Sequence, residues 1–390
     1  MKICIVARQL TDDYSGCFEF DQAYALAEAS NDVCLISLDL RSIRRKRPLG
    51  VSRIRDKGME IIKISIPLGA INKKFFHNTA IKKFTKVFRE KITKDGDFDI
   101  VHVHFLDNAY ITAKTLDNTG SAAKFFVTEH SNITKLDNGS DYFRKTVNEG
   151  YGRADGFITV SKSLASAIYD KYGFESIVIN NVVDTSLFRM KKAPAAGGEK
   201  VFVSVGNLTA NKRMGLLARC FSKAFECDPQ YKLYICGAGP EKENIEAEIE
   251  KAGNADNIHM LGFQSRRNIA ELFSRASAFV LLSEAETFGV VFIEAMAAGL
   301  PVIATRSGGP DEFMTEETGI FTDDAEDEIV RNLKYMAEHA CDYNSEKIAE
   351  YAVSRFSPEV IAAQLCELYA RSIQTGNQTA EPTESSQKSE

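Results

Sequence analysis

SEAETFGVVFIEAMAAGLPVIAT, residues 283–305, is the stretch on which the fold turns. Residues 278–282 just before it are apolar and strand-like, 286–289 form a short polar turn, and 290–298 have helix-forming composition. Gly299 supplies a C-terminal stop and Pro301 follows it. The unit reads strand, loop, helix. In an open parallel sheet it puts Glu286 and the amides of Thr287, Phe288, Gly289 and Val290 at the carboxyl end of a strand and the amino end of a helix, where anions and hydroxylated ligands bind. Glu294 comes about two helical turns later, on the face Glu286 would share if the helix reached back that far. Two carboxylates are therefore expected to line one crevice.

Outward from this unit the chain alternates. In the first half KICIVA, DVCLISL, DIVHVHF, AKFFVTE, GFITVS and SIVINN read as short strands, with helical segments such as 20–29 and 163–171 between them. KKAPAAGGEK, residues 191–200, breaks the composition and reads as a linker. VFVSVG, KLYICG, IHMLG, AFVLLS, PVIAT and GIFT then repeat the alternation. The fold class is α/β: two doubly wound, Rossmann-like domains facing across a cleft, with ligands between their strand ends. The boundaries are 1–188 for the first domain, 189–200 for the linker, 201–356 for the second domain, 357–374 for a last helix and 375–390 for a polar, disordered tail.

At 390 residues with 44% apolar content the chain can bury two cores. No apolar run approaches the twenty residues of a membrane span, and the start MKICIVAR is a first strand rather than a signal peptide. Eight cysteines without a C-x-x-C pair read as reduced core residues of a cytoplasmic protein. The net charge of −6 hides a basic block: residues 41–95 hold 17 Lys and Arg against 4 Asp and Glu. Such a block seeks an anionic membrane surface or an anionic substrate. It places the protein at the inner face of the plasma membrane as a peripheral protein, with no nucleic-acid partner. Within it Phe76, Ala80, Ile81, Phe84, Phe88 and Ile92 share one helical face that packs on its own sheet.

The pair Glu286 and Glu294, with the flanking FG, EAMAAGLPVIAT and GGPDEF segments, resembles the E-x7-E signature of the family four retaining glycosyltransferases of glycosyltransferase-B fold. The resemblance implies transfer of a hexosyl or N-acetylhexosaminyl group from a nucleotide diphosphate sugar, UDP-sugar favoured, to a glycan or lipid-linked acceptor in bacterial cell-surface polysaccharide or glycolipid synthesis. Donor binding falls to the second domain and acceptor binding to the first. It further implies that Glu286 orients the sugar with the amides of Phe288 and Gly289, that Glu294 binds the ribose and that His130, in FFVTEHSN, contacts the sugar from the opposite domain. In VGNLTANKRM, residues 205–214, Gly206, Asn207 and Lys212 occupy the diphosphate loop. The family often has Arg where this chain has Asn207, leaving Lys212 as the phosphate cation and Arg213 as a substitute. The glycine loop after the first strand keeps Gly16 but has Cys17. Gly237, in CGAGP, and Phe263, in LGF, match segments that contact the nucleotide, with Phe263 as the base-pocket candidate.

The last helix is implied to cross back onto the first domain. His102 and His104 alternate in one strand and read as core or crevice-lining residues. No cluster has metal-ligand spacing, so metal-independent chemistry without a cofactor is expected. A phosphorylase or nucleotide-sugar epimerase of the same fold, or a non-catalytic partner subunit, are the alternatives.

Overall fold

The computed structural model describes residues 1–10, 17–42, 44, 46–68, 72–190, 198–226, 228–254 and 256–378, with side chains to 374. Gly16, Arg45, Cys227, most of the linker and residues 379–390 lie outside the described residues.

The first domain is built on an eight-stranded sheet of order β3-β4-β2-β1-β5-β6-β7-β8. The strands are β1 (Lys2–Ala7), β2 (Asp32–Asp39), β3 (Gly50–Asp56), β4 (Met59–Ser65), β5 (Ile100–His104), β6 (Lys124–Glu129), β7 (Gly156–Thr159) and β8 (Ile177–Val178). All pairs are parallel except β3 with β4. The second domain has a six-stranded parallel sheet of order β11-β10-β9-β12-β13-β14. Its strands are β9 (Lys200–Val205), β10 (Tyr231–Cys236), β11 (Ile258–Gly262), β12 (Ala278–Leu281), β13 (Val302–Thr305) and β14 (Gly319–Thr322). The apolar runs became strands because both faces of a parallel sheet are covered by helices. Ile3, Cys4, Ile5 and Val6 in β1, for example, are fully buried.

The hairpin β3–β4 is not among the strands read from the sequence, although β4 buries Met59, Ile61, Ile62 and Ile64. It falls in the basic block, where VSRIRD is charged and its side chains are mostly exposed. Lys57 and Gly58, both at positive φ, make the two-residue turn between Asp56 and Met59 that right-handed strand twist favours. The neighbouring helix Lys73–Asp95 buries Ala80, Phe84 and Phe88 on the first domain, with Phe76, Ile81 and Ile92 packed beside them.

Helix Pro358–Gln378 leaves the second domain and packs on the first. Its Ile361, Leu365 and Tyr369 are buried in a cluster with Leu26, Phe20 and Phe126. Two polar contacts also join the domains. Arg266 pairs with Asp21, and the Glu312 carboxylate accepts the Lys162 and Ser163 amides at 2.9 and 2.8 Å, capping the helix Lys162–Tyr172.

Part of the basic block serves the fold. Arg47 is largely buried, ion-pairs with Asp39 at 2.6 Å and donates to the carbonyls of Arg41 and Ser42. The expectation that residues 41–95 present their charge to an anionic partner therefore does not extend to Arg47, whose guanidinium is engaged by a carboxylate and backbone carbonyls.

Candidate active site

A cleft of about 490 Å³ opens between the strand ends of the two domains. Cys17, Gly206, Asn207, Lys212, Gly237, Phe263, Thr287, Phe288, Gly289, Val290, Glu286, Glu294 and His130 all line it.

The loop after β12 carries Glu286, whose Oε1 accepts the Ser283 hydroxyl at 2.7 Å and forms an ion pair with Lys212. Its backbone is fixed as well: the Glu286 amide donates to Ser307 and its carbonyl accepts the Gly309 amide. The helix Val290–Ala297 then begins at Gly289, at φ 91, where a Cβ would meet the Phe292 ring at 2.8 Å. Val290 and Val291, in its first turn, line the cleft beside Glu286, and the first amides of a helix lack intrahelical acceptors. The Phe288 ring packs on Phe313 and Phe356, so this residue offers the cleft chiefly its backbone.

Lys212 sits in the short turn Ala210–Lys212 after β9. Beside it Gly206 and Gly237 bring two strand ends into van der Waals contact: a Cβ on Gly237 would lie 1.8 Å from the Gly206 carbonyl oxygen. Arg213 does not substitute for a phosphate cation. It adopts φ 48 at the start of helix Met214–Phe225. From there its side chain donates to the Leu282 carbonyl at 2.5 Å and pairs with Asp324 at 2.8 Å, bracing the end of β12 from outside the cleft lining. Phe263 stands at the rim, 68% exposed.

Glu294 projects from the helix Val290–Ala297 and is 8% exposed. Arg266 reaches both it, at 3.4 Å, and Asp21 of the first domain, at 2.8 and 3.0 Å. Desolvation pushes the Glu294 carboxyl up to about 7 and that of Asp21 up to about 6, although Arg266 opposes both. The sequence reading missed this triad. Arg266 opens a helix after β11 and Asp21 lies in the helix after β1, so strand-end position was the available signal.

From the first domain comes His130, 6% exposed. Its Nε2 hydrogen-bonds His104 Nδ1 at 2.7 Å, while its Nδ1 has no hydrogen-bond partner and the ring lines the cleft. Gln22 bridges His104 to His102, and His102 continues to Thr128 at 2.6 Å and to Tyr369 of the last helix at 2.5 Å. Burial pulls His102 down to about 3 and holds His104 and His130 well below the usual histidine range, so all three are neutral at pH 7. The turn is anchored by Glu129, fully buried. Its carboxylate accepts the amides of Leu106, His130 and Ser131 and the hydroxyls of Ser131 and Tyr151, at 2.6–2.9 Å. Glu129 was also missed, since a single Glu at a strand end carries no local mark of five donors.

Cations at Lys212 and helix amides are suited to an anionic leaving group, and Glu286 and Glu294 to hydroxyls. Among the described residues no group of three or more His, Cys, Asp and Glu is placed to hold a metal ion. No helix among them is long and apolar enough to cross a membrane.

The family model described as glycosyl transferases group 1 matches residues 187–355, and that described as glycosyltransferase family 4 matches residues 20–187. N-acetyl-alpha-D-glucosaminyl L-malate synthase of Bacillus anthracis is 28% identical over 72% of this chain and 76% of its own length. The phosphatidylinositol N-acetylglucosaminyltransferase gpi3 subunit of Schizosaccharomyces pombe is 24% identical over 74% of this chain and 61% of its own length. Among solved structures, a sucrose-phosphate synthase from Thermosynechococcus elongatus superposes with a TM-score of 0.78 at 20% identity, covering 96% of this chain and 100% of that one. An Anabaena protein, HepE, solved in complex with UDP, gives 0.71 at 17% identity, covering 95% and 100%. These two likenesses concern the two-domain architecture.

Proposed function

The chain belongs to the family 4 glycosyltransferases, and from that premise we propose that it transfers a sugar, with retention, from a nucleotide diphosphate sugar held in the cleft to a glycan or lipid-linked acceptor. The observation that carries this reading is the convergence of Glu286, Lys212, Glu294 and His130 from two domains on one cleft of about 490 Å³. A UDP-sugar is the favoured donor, supported by the UDP complex of the Anabaena neighbour and by the N-acetylglucosaminyl relatives.

On this reading Glu294 accepts the ribose hydroxyls, and the diphosphate lies against Lys212 and the amides at the start of Val290–Ala297. As the bond from the sugar to the phosphate breaks, negative charge grows on the phosphate, where cation and dipole stabilise it without a metal ion. Glu286, held by Ser283 and Lys212, presents its second oxygen to sugar hydroxyls. The unpartnered Nδ1 of His130 faces the sugar from the first domain. Glu286 is a positioning group here, because the departing phosphate can take the acceptor proton. A role in cell-surface glycan or glycolipid synthesis at the cytoplasmic membrane face draws support from the phosphatidylinositol N-acetylglucosaminyltransferase relative and the basic block.

The test is to incubate the protein with UDP-glucose, UDP-galactose and UDP-N-acetylglucosamine and detect released UDP, then assign the product anomer by NMR. An inverted product would remove the retaining mechanism, and a protein that bound no nucleoside diphosphate would remove the donor assignment.

A further inference from the structure

A second cavity of about 820 Å³ lies within the first domain. It shares Arg8 and Phe105 as a common wall with the cleft, and the Arg8 guanidinium lies 3.5 Å from the centre of the Phe105 ring.

Its lining is of two kinds. Leu38, Leu40, Phe76, Leu136 and Phe143 are apolar, and Leu136 is 63% exposed where the cavity meets solvent. Phe75, on the first turn of helix Lys73–Asp95, is 62% exposed nearby in sequence. Leu136 thus extends the apolar lining of the cavity to the solvent-facing surface.

The polar part is cationic. Arg8, Arg41, Lys73 and Lys74 line the cavity, and among the described residues Asp107 is the one carboxylate in its lining. Arg8 and Arg41 are balanced by Glu19 and Asp39, and Lys73 shares Asp107 with His77. Lys74 makes no ion pair among the described residues. Helix Lys73–Asp95 therefore starts with two lysines and no acid in its first turn, where the dipole is already positive. An anion at this end relieves that repulsion. A second, independent observation marks the same place: Asn108 is 3% exposed, lines the cavity, and its Nδ2 has no hydrogen-bond partner. A buried amide N–H left unpaired is one that a ligand satisfies.

We propose that this cavity is the acceptor site and that the acceptor is an anionic amphiphile, a hydroxyl-bearing lipid with a phosphate in its head. The phosphate meets Lys73, Lys74 and the Asn108 amide, the tail lies over Phe76, Leu136 and Phe143, and the hydroxyl end is directed to the cleft where Arg8 and Phe105 border both cavities. The inference rests on the cleft being the donor site. There the acceptor oxygen forms a bond to the sugar's anomeric carbon, the bond from that carbon to the donor phosphate breaks, the nucleoside diphosphate leaves with the electron pair, and the hydroxyl proton goes to it. The volume of about 820 Å³ is in the range of drug-sized ligands and exceeds what a bare phosphate fills.

The experiment titrates the full chain by calorimetry, below micelle-forming concentrations, with decyl phosphate, with inorganic phosphate and with decyl glucoside. Decyl phosphate is expected to bind at least about ten-fold more tightly than either half-probe. Lys73→Gln with Lys74→Gln, and separately Leu136→Ser, all at exposed positions, should each weaken it by about ten-fold or more. Equal binding of inorganic phosphate, equal binding of decyl glucoside, or no effect of these substitutions overturns the proposal. UDP titrated into the same protein reports on the cleft alone. A protein that binds decyl phosphate and not UDP overturns the donor reading, and one that binds UDP and not decyl phosphate overturns this one.

Discussion

Arg266 of the second domain and Asp21 of the first meet across the cleft through two hydrogen bonds, at 2.8 and 3.0 Å, while the same guanidinium touches Glu294 at 3.4 Å. One cation thus bridges the two domains and also touches the carboxylate proposed to bind the ribose. A fork-shaped guanidinium can serve both, where an ammonium would serve one.

Removing Arg266 leaves two carboxylates without their cation in a poorly solvated site. Arg266→Met is expected to lower stability at neutral pH by about 2–4 kcal/mol, read from urea unfolding midpoints. A variant as stable as wild type would mean that water enters the cleft freely enough to solvate both carboxylates.

Glu294 gives a pH dependence of definite sign. Its folded-state pKa, raised to about 7 by burial, exceeds the unfolded value of 4.5. Between these values the folded state holds a proton that the unfolded chain has released. The group's contribution is therefore fully present below pH 4.5 and is lost as the pH rises through 7. Wild type should lose about 1–3 kcal/mol relative to Glu294→Gln between pH 5 and pH 8. Parallel stability curves for the two proteins would contradict the buried, proton-binding carboxylate.

Lys212 and the helix amides are expected to replace a divalent cation. Turnover should survive EDTA, and Lys212→Ala should weaken nucleoside diphosphate binding by roughly ten-fold or more, as loss of a charge-assisted hydrogen bond implies, while nucleoside binding changes little. Activity abolished by chelation and restored by magnesium would transfer the leaving-group role to a metal.

Glu129 is set for a stability effect rather than a binding one. Glu129→Gln turns an amide NH₂ toward donors that now share two carboxylate oxygens, and with the site fully buried the loss should be about 3–5 kcal/mol. Thermal unfolding measures it, and an unchanged midpoint would mean that the turn bearing His130 is held by other contacts.

Salt should govern any membrane attachment. Arg44, Lys46, Arg53 and Arg55 are exposed, so their joint replacement by Gln should release the protein from anionic vesicles without touching Arg47. Each is worth about 1 kcal/mol near such a surface and less as ionic strength rises. A wild-type protein that ignores these vesicles at low salt ends the peripheral-membrane assignment.

The strands legible in the sequence were those buried on both faces, such as β1 and β12, because burial demands an unbroken apolar run. The edge strand β3 escaped notice because it is charged and mostly exposed, although Asp56, Lys57 and Gly58 formed a readable turn; its partner β4, which buries Met59, Ile61, Ile62 and Ile64, was passed over with the basic block that contains it. The same division holds at the site. Glu286, Gly289 and Glu294 were visible because one contiguous strand, loop and helix carries them. Arg266 with Asp21 was not, since a pairing across 245 positions leaves no local pattern. Arg213 was misplaced for a related reason: its sequence position beside Lys212 says nothing of a positive φ that turns the side chain toward Leu282 and Asp324.

The placement of Ile361, Leu365 and Tyr369 under the first sheet has a consequence for synthesis. A ribosome makes β1 through β8 and then the whole second domain before it makes the residues that cover Phe126 and seal His102 through the Tyr369 hydroxyl. Until then the part of that face which these residues cover stays open to water, or to a chaperone. The domain that is begun first is completed last, and a chain cut before Pro358 would leave both the relay to His130 and the apolar floor beneath it uncovered.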